Sequence, residues 1–470
     1  MPRLTPLLAL AVASLGAQEL SLPSVFSAGA VLQSGEAPVF GRADPGAEVA
    51  VSLGEARAQA KADGRGNWKA VLRGLAPTDQ GRELVVVAKS ARGSREFRAG
   101  DVIVGEVWIG SGQSNMNWTV GSSNSRAEAE ARPADGALRW FKVAAAPAAA
   151  PAADVKGAWV KSDPKTVAHI SGVAYFFGSH LRSRLRVPVG LIVTSIGGTR
   201  AEAWGPRGMY DGVKGAEGWQ AAEDKAVADR AAKKDPKNPP VWSNGPHMNW
   251  NGMVHPIVGY GIRGALWYQG ESNAGKADAY DWVLGGMVRG WHQAWGREFP
   301  FLVVQLPGFG EGKDLWPVLR AQQQKVAATV PGVLLSVNID LGEEKDIHPR
   351  AKKPVGERLS LLALERVYGK PVVGTSPAPV RFAAKGDAVE VTFDRPVRLL
   401  EAGRGFEMLR ADGTWMPATA EAKGEVVTVR MAGGTRPPRA RYAWKSWPGW
   451  SLFSEGEDRL PVGPWISPGR

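Results

Sequence analysis

Val102-Ile103-Val104-Gly105-Glu106-Val107-Trp108-Ile109-Gly110-Ser111-Gly112-Gln113-Ser114-Asn115-Met116 is the stretch on which the fold turns. Val102 to Ile109 is a mostly apolar run of strand length, and Gly110-Ser111-Gly112 ends it in a tight turn. The same event recurs downstream. Val187 to Ile196 reads as a buried strand ending at Gly197-Gly198, and Ile262 to Tyr268, Phe301 to Leu306 and Val333 to Ile339 read as further strands. Between them lie helical patterns. Val173 to Leu185 carries Phe176, Phe177 and Leu181 at helical spacing, and Trp316 to Val330 and Val355 to Tyr368 are helices. Strand-helix alternation from 101 to 370 predicts an α/β domain, a parallel sheet covered by helices.

Both flanks have a different texture. Residues 18–100 carry short strand-like runs, Val39-Phe40-Gly41, Glu48 to Leu53, Trp68 to Leu72 and Glu83 to Ala88. Turns such as Asp44-Pro45-Gly46 and Asp63-Gly64-Arg65-Gly66 separate them, which predicts a small β-sandwich. From 371 to 470 the helical signal stops. Ala388 to Phe393, Glu425 to Met431 and Arg441 to Trp444 predict a C-terminal β module. Residues 144–153 are Ala/Pro-rich, a loop or linker, and Asp211 to Lys237 is a charged helical insertion on the surface.

A chain of 470 residues is long enough for two to four domains. It has no cysteine, which excludes thiol nucleophiles, disulfides and thiolate metal sites together. The formal net charge is +12, but the Lys and Arg are scattered and no nucleic-acid module is present, so no nucleic-acid partner is expected. Arg3, the apolar Leu4 to Leu15 and the small Gly16-Ala17 predict a signal peptide over 1–17 and a secreted or periplasmic protein. A buried first strand is the alternative. No other apolar run is long enough to span a membrane. No motif reports the oligomeric state.

In open α/β sheets, ligands bind at the carboxyl ends of strands. Four such ends carry polar groups here. Ser114 follows the first strand between glycine-lined turns, but a serine in a turn is more often only a turn residue. Met116 stands where the Gly-x-Ser-x-Gly elbow would have its second glycine. Gly197-Gly198-Thr199-Arg200 allows a backbone N–H to approach a ligand, or is a plain turn. Trp267-Tyr268-Gln269-Gly270-Glu271-Ser272-Asn273 groups two amides and a carboxylate, as oxyanion donors or as a loop scaffold. Asp346-Ile347-His348-Pro349 offers a base with an acid two residues earlier. Asp340 is a second candidate acid. The other five histidines (His169, His180, His247, His255 and His292) read as structural, with His247 and His255 as possible cleft residues. Together the four ends supply the parts of acyl transfer: nucleophile, base, orienter and oxyanion donors.

These blocks resemble the sialate O-acetylesterase family, a branch of the SGNH hydrolases. Glu202-Ala203-Trp204 and Asn249-Trp250-Asn251-Gly252-Met253 extend the match. So do Leu22-Pro23-Ser24-Val25-Phe26 with Val31-Leu32-Gln33, and Tyr442-Ala443-Trp444 near the end. The resemblance implies an SGNH-like three-layer core flanked by N- and C-terminal β-sandwich-like modules. It implies a metal-independent serine esterase that needs no cofactor and releases acetate from an acetylated sugar. Ser114 would attack, and His348 would accept its proton. The backbone N–H groups of Ser114 and Gly198, with a side-chain amide of Gln269 or Asn273, would hold the oxyanion. Gln113, Glu271 and Arg200 would contact substrate. Many SGNH hydrolases carry the acid three residues before the histidine. Here Lys345 stands there, so Asp346, Asp340 or a backbone carbonyl would orient His348. Sialic acid acetates fit as substrates, acetylated xylan or another plant glycan is the rival, and a non-catalytic glycan-binding protein is a third alternative. Asn117-Trp118-Thr119, formally a sequon, is expected to be site wall.

Overall fold

The computed structural model describes residues 19–233, 235, 237, 239–312, 315–400, 403–431, 438–456 and 459–468; the expected signal peptide lies outside them. The apolar run quoted above is the second half of one long strand, β1 (Gly93–Gly112). Every residue from Val102 to Gly112 is buried, as a central strand covered on both faces requires. β2 (Asp135–Lys142), β3 (Val189–Ser195), β4 (Gly264–Tyr268), β5 (Phe301–Val304) and β6 (Val333–Ser336) complete a parallel core in the order β2-β3-β1-β4-β5-β6. The chain leaves β1 for β2 and β3 on one side, then crosses to β4, β5 and β6 on the other. The carboxyl end of β1 is therefore the switch point where α/β folds open a crevice.

Helices cover both faces. On one, α1 (Gly172–Leu185) meets the side of β1 that carries Trp108 and Gly110. The Trp108 ring stands edge-on to Phe177, centroids 5.0 Å apart. On the other, α2 (Tyr280–Trp295) brings Trp291 to 5.6 Å from Phe301, beside Trp267 of β4. α3 (Leu315–Thr329) packs beside α2, and α4 (Lys352–Arg366) beside α1. Gly356 permits that last approach: a Cβ there would lie 2.7 Å from backbone atoms of Val173 and Phe177. Among the described residues no helix is long and apolar enough to cross a membrane.

The parallel core is extended by antiparallel strands. The core belongs to an eleven-stranded mixed sheet. Trp159–Ser162 adds antiparallel to β2, and the first half of β1 pairs antiparallel with Thr78–Ser90. The expected boundary at 100/101 thus falls inside β1. Arg95, Glu96 and Arg98 make the first half of that strand exposed and polar, which hides its continuity. A separate three-stranded sheet, Leu20–Ser21, Gly35–Ala43 and Asn67–Leu75, completes the N-terminal region. Among the described residues, the C-terminal region holds two four-stranded sheets and a two-stranded one. Its core includes Val337 and Ile339, the residues that follow β6. Arg320 of α3, fully buried, donates to the carbonyls of Lys445 and Ser446 at 2.9 and 2.7 Å and so pins this region to the central one.

Two elements were not visible in the pattern. α2 contains Gly285, Gly286 and Gly290, which weaken helix propensity. Packing demands two of them, since a Cβ at Gly286 or Gly290 would come 2.4 Å from the Met209 carbonyl or 2.5 Å from Pro206. In β2, Arg139 interrupts the apolar pattern yet is buried, donating to the carbonyls of Gly29, Asp101 and Gly136.

Candidate active site

Gly112 closes β1 at φ +138°, where a Cβ would stand 2.1 Å from the Tyr268 carbonyl oxygen of β4. Only glycine fits. Two residues later the chain enters a single helical turn, Ser114–Asn117. Ser114 is its first residue, so its N–H is one of those a helix start leaves unpaired. The second strand end meets it directly, because a Cβ on Gly197 would lie 3.5 Å from the Ser114 Cβ. Gly198 is exposed at φ +72° with open space around it.

The fourth strand end closes over the same turn. The His348 ring stacks on Trp118, centroids 4.7 Å apart and 10° from parallel. Trp118 N–H in turn donates to the Ser114 carbonyl at 2.8 Å. Trp118 thus links the Ser114 turn to the His348 ring. Asn115 Nδ2 donates to the Ile347 carbonyl at 2.9 Å, tying the β1 turn to the histidine turn. Asp346 Oδ1 accepts the His348 backbone N–H at 2.8 Å and lies 3.6 Å from Nδ1, so it shapes the turn and faces the ring. Asp340 is committed elsewhere, in a two-point pair with Arg358 at 2.6 and 2.7 Å. Burial holds His348 below its ordinary value. The Asp346 charge opposes that and the Lys352 charge adds to it.

The third strand end bonds to the first and the second. Gln269 is fully buried, and its Nε2 faces Gln113 Oε1, the Thr199 carbonyl and Asn273 Oδ1 at 3.1, 3.1 and 2.7 Å. Asn273 Oδ1 also accepts from Ala201 N–H, and its Nδ2 donates to Glu202 at 2.8 Å. Both amides thus hold the segment after Gly198, at the Thr199 carbonyl, Ala201 N–H and Glu202. Gln113 and Glu271 are likewise internal. Gln113 Oε1 also accepts from Ser272 N–H, and Glu271 accepts from Asn115 Nδ2 at 2.6 Å. Glu271 Oε2, by contrast, has no hydrogen-bond partner among the described residues. Arg200 remains at the rim. Its N–H donates to Asn244 Oδ1 at 2.8 Å, while Asn244 Nδ2 donates to the Gly198 carbonyl at 3.1 Å.

Sequence reasoning missed Asn244 and Lys352. Asn244 lies far from any strand end. Lys352, four residues after His348, reads as a solvated helix start, yet it is fully buried and its Nζ meets Asn115 Oδ1. Of the possible cleft histidines, His255 is exposed. His247 is buried in the wall, with Nδ1 2.8 Å from the Gly205 carbonyl and Nε2 3.0 Å from Gln220 of the insertion helix Trp219–Ala232. Glu223 of that helix lies 3.6 Å from His247 and is pushed up to about 8 by burial and by the nearby Glu202 charge.

A half-buried serine on a one-turn helix at the switch point, with the Gly197-Gly198 turn beside it and a histidine stacked on the tryptophan that ends the same turn, has the layout of a carboxylic ester hydrolase, and the comparisons with known proteins agree. Residues 104–227 and 241–364 match the family described as carbohydrate esterase, sialic acid-specific acetylesterase. The chain belongs to this family and is an ester hydrolase rather than a non-catalytic binding protein. The sialate O-acetylesterase of Mus musculus is 28% identical over 88% of this chain and 86% of its own length. That of Homo sapiens is 27% identical over 88% and 84%. A carbohydrate acetylesterase from Xanthomonas citri, known from its crystal structure, is 33% identical. It superposes with a TM-score of 0.82 over 95% of this chain and 99% of its own.

Proposed function

We propose that this carbohydrate esterase removes O-acetyl groups from a sugar through an acetyl-enzyme on Ser114. The observation that carries the mechanism is the union of three strand ends around one turn: Ser114 just after β1, Gly197-Gly198 just after β3, and His348 stacked over Trp118. His348, held uncharged by burial, accepts the Ser114 proton as Oγ attacks the acetyl carbon. The N–H groups of Ser114 and Gly198 stabilise the tetrahedral oxyanion. Collapse breaks the ester bond, and His348 returns its proton to the departing sugar oxygen. Water, deprotonated by His348, then attacks acetyl-Ser114 and releases acetate. Asp346 steadies the turn and favours the imidazolium that forms transiently.

Acetylated sialic acid is the favoured substrate class. The family description and the names of the mammalian relatives support it, and the net charge of +12 is compatible with an acidic sugar. An acetylated neutral glycan is the second reading, favoured by the likeness to the carbohydrate acetylesterase of Xanthomonas citri. Acetate release from paired panels of acetylated sialosides and xylo-oligosaccharides separates them. Export through the leader at 1–17 is part of the proposal, supported by the apolar Leu4 to Leu15. Ser114→Ala tests the mechanism. Hydrolysis of 4-nitrophenyl acetate falls by at least ~10³-fold if Ser114 is the nucleophile, and an unchanged rate overturns it.

A further inference from the structure

A buried cation with no carboxylate in contact is costly, because its hydration is lost and no ion pair replaces it. Lys352 is such a group. It is fully buried, and among the described residues it forms no ion pair. Its Nζ meets Asn115 Oδ1 and lies 5.4 and 5.9 Å from the ring centroids of Tyr268 and Trp118. This contact decides which way the Asn115 amide points. With Oδ1 on the ammonium, Nδ2 faces two acceptors, Glu271 Oε1 at 2.6 Å and the Ile347 carbonyl at 2.9 Å. The reversed amide would set an oxygen against both. The chain of contacts thus runs from Lys352 to the residue after Ser114 and on to the residue before His348.

We propose that Lys352 is a positioning residue for the esterase reaction: through Asn115 it fixes the turn that presents His348 to Ser114. The proposal rests on the roles given above to Ser114 and His348. Lys352 also acts through its charge. The groups that face it are the carboxylates of Glu271, Glu343 and Asp346, the Tyr268 phenol and the His348 ring. Burial pushes Lys352 down to about 7, and while it keeps its proton its charge opposes one on His348, which burial already holds below its ordinary 6.5. A positive neighbour disfavours a second positive charge and keeps the imidazole ready as a base.

The test is Lys352→Met in the full chain, assayed with 4-nitrophenyl acetate across pH, beside wild type and Ser114→Ala. We expect kcat to fall at least ~10-fold with KM within about 2-fold, as displaced catalytic groups produce. The acid limb of kcat/KM should move up by about half a pH unit, because His348 now holds its proton to higher pH. Glu271→Gln is the second variant, decisive if Lys352→Met fails to fold. It keeps an oxygen for Asn115 but removes a charge that stabilises the ammonium, so the limb should move the same way. Folded Lys352→Met with a wild-type profile, a uniform rate loss with an unmoved limb, or an unmoved limb in Glu271→Gln overturns the proposal. If Ser114→Ala hydrolyses ester at the wild-type rate, the esterase mechanism itself falls. If Ser114→Ala is inactive and both other variants behave as wild type, only the role of Lys352 falls.

Discussion

Gly112→Ala tests the site through backbone geometry alone. The new Cβ would stand 2.1 Å from the Tyr268 carbonyl oxygen, which is backbone and part of β4. Ordinary carbon–oxygen contact is near ~3.4 Å, so β1 and β4 must separate by roughly 1 Å at this point. Gly112 is in register with Tyr268 on one side and Ser195 on the other, so both neighbours feel the movement. A non-glycine residue at φ +138° costs ~1–3 kcal/mol, and loosening the bond from Gln113 N–H to the Tyr268 carbonyl costs about 1 more. The total is about 2–4 kcal/mol of stability. Ser114 lies two residues on and travels with the strand end, and a displacement near ~1 Å costs on the order of 10²-fold in kcat. Initial rates on 4-nitrophenyl acetate and thermal unfolding by circular dichroism read both effects. Gly64→Ala is the control, since nothing lies within 4 Å of its Cβ, and it should stay within ~0.5 kcal/mol of wild type. Wild-type melting and kcat for Gly112→Ala would refute both the requirement for glycine and the coupling to Ser114.

Two further outcomes follow from the same geometry. Asp346→Asn keeps an oxygen for the His348 N–H but removes the charge 3.6 Å from Nδ1. Because Asp346 is largely exposed, kcat should fall only about 10-fold and the acid limb should move to lower pH. A loss near ~10⁴-fold, as for an indispensable buried triad acid, would contradict the placement. Glu223, pushed up to about 8 from an ordinary 4.5, is held protonated in the folded wall. Its contribution is full below pH 4.5 and is lost as pH rises towards 8, because the unfolded chain ionises first. Glu223→Gln should leave the melting temperature unchanged at about pH 4 and raise it at about pH 8.5, and equal effects at both would refute the protonated wall.

The strands and helices legible in the sequence were those whose burial shows as uninterrupted apolar runs or helical spacing. Val102 to Ile109, Val187 to Ile196 and Val173 to Leu185 are of this kind. Elements whose packing needs a locally unfavourable residue stayed hidden, as in the glycine-rich α2 and in β2 with its buried Arg139. At the site, sequence placed the four strand ends, since turns rich in glycine and polar residues behind strands are local signals. It did not tell which polar groups face solvent and which face each other. Gln113, Gln269, Glu271 and Asn273 bond across 60 or more residues of chain to Thr199, Glu202, Asn115 and one another. Asn273 and Gln269 pair locally as well. Such long-range pairing leaves no local pattern, and Lys352 was concealed for the same reason.

β1 is irregular at Asp101, where φ is +57° and the ladder to Thr78–Ser90 shifts register, yet it carries one chain direction from the amino-terminal sheet to the Ser114 turn. Val31–Gln33 lies parallel on that strand at Ile103–Gly105, so residues far upstream supply part of the sheet on which the nucleophile stands. A fragment cut at residue 101 would lose that partner strand and expose Val102 to Val104, apolar and unpaired, to other chains. For anyone trimming, fusing or grafting this esterase, the smallest transferable unit therefore begins upstream of Val31 rather than at the first residue of the family match, and the amino-terminal strands travel with the chemistry.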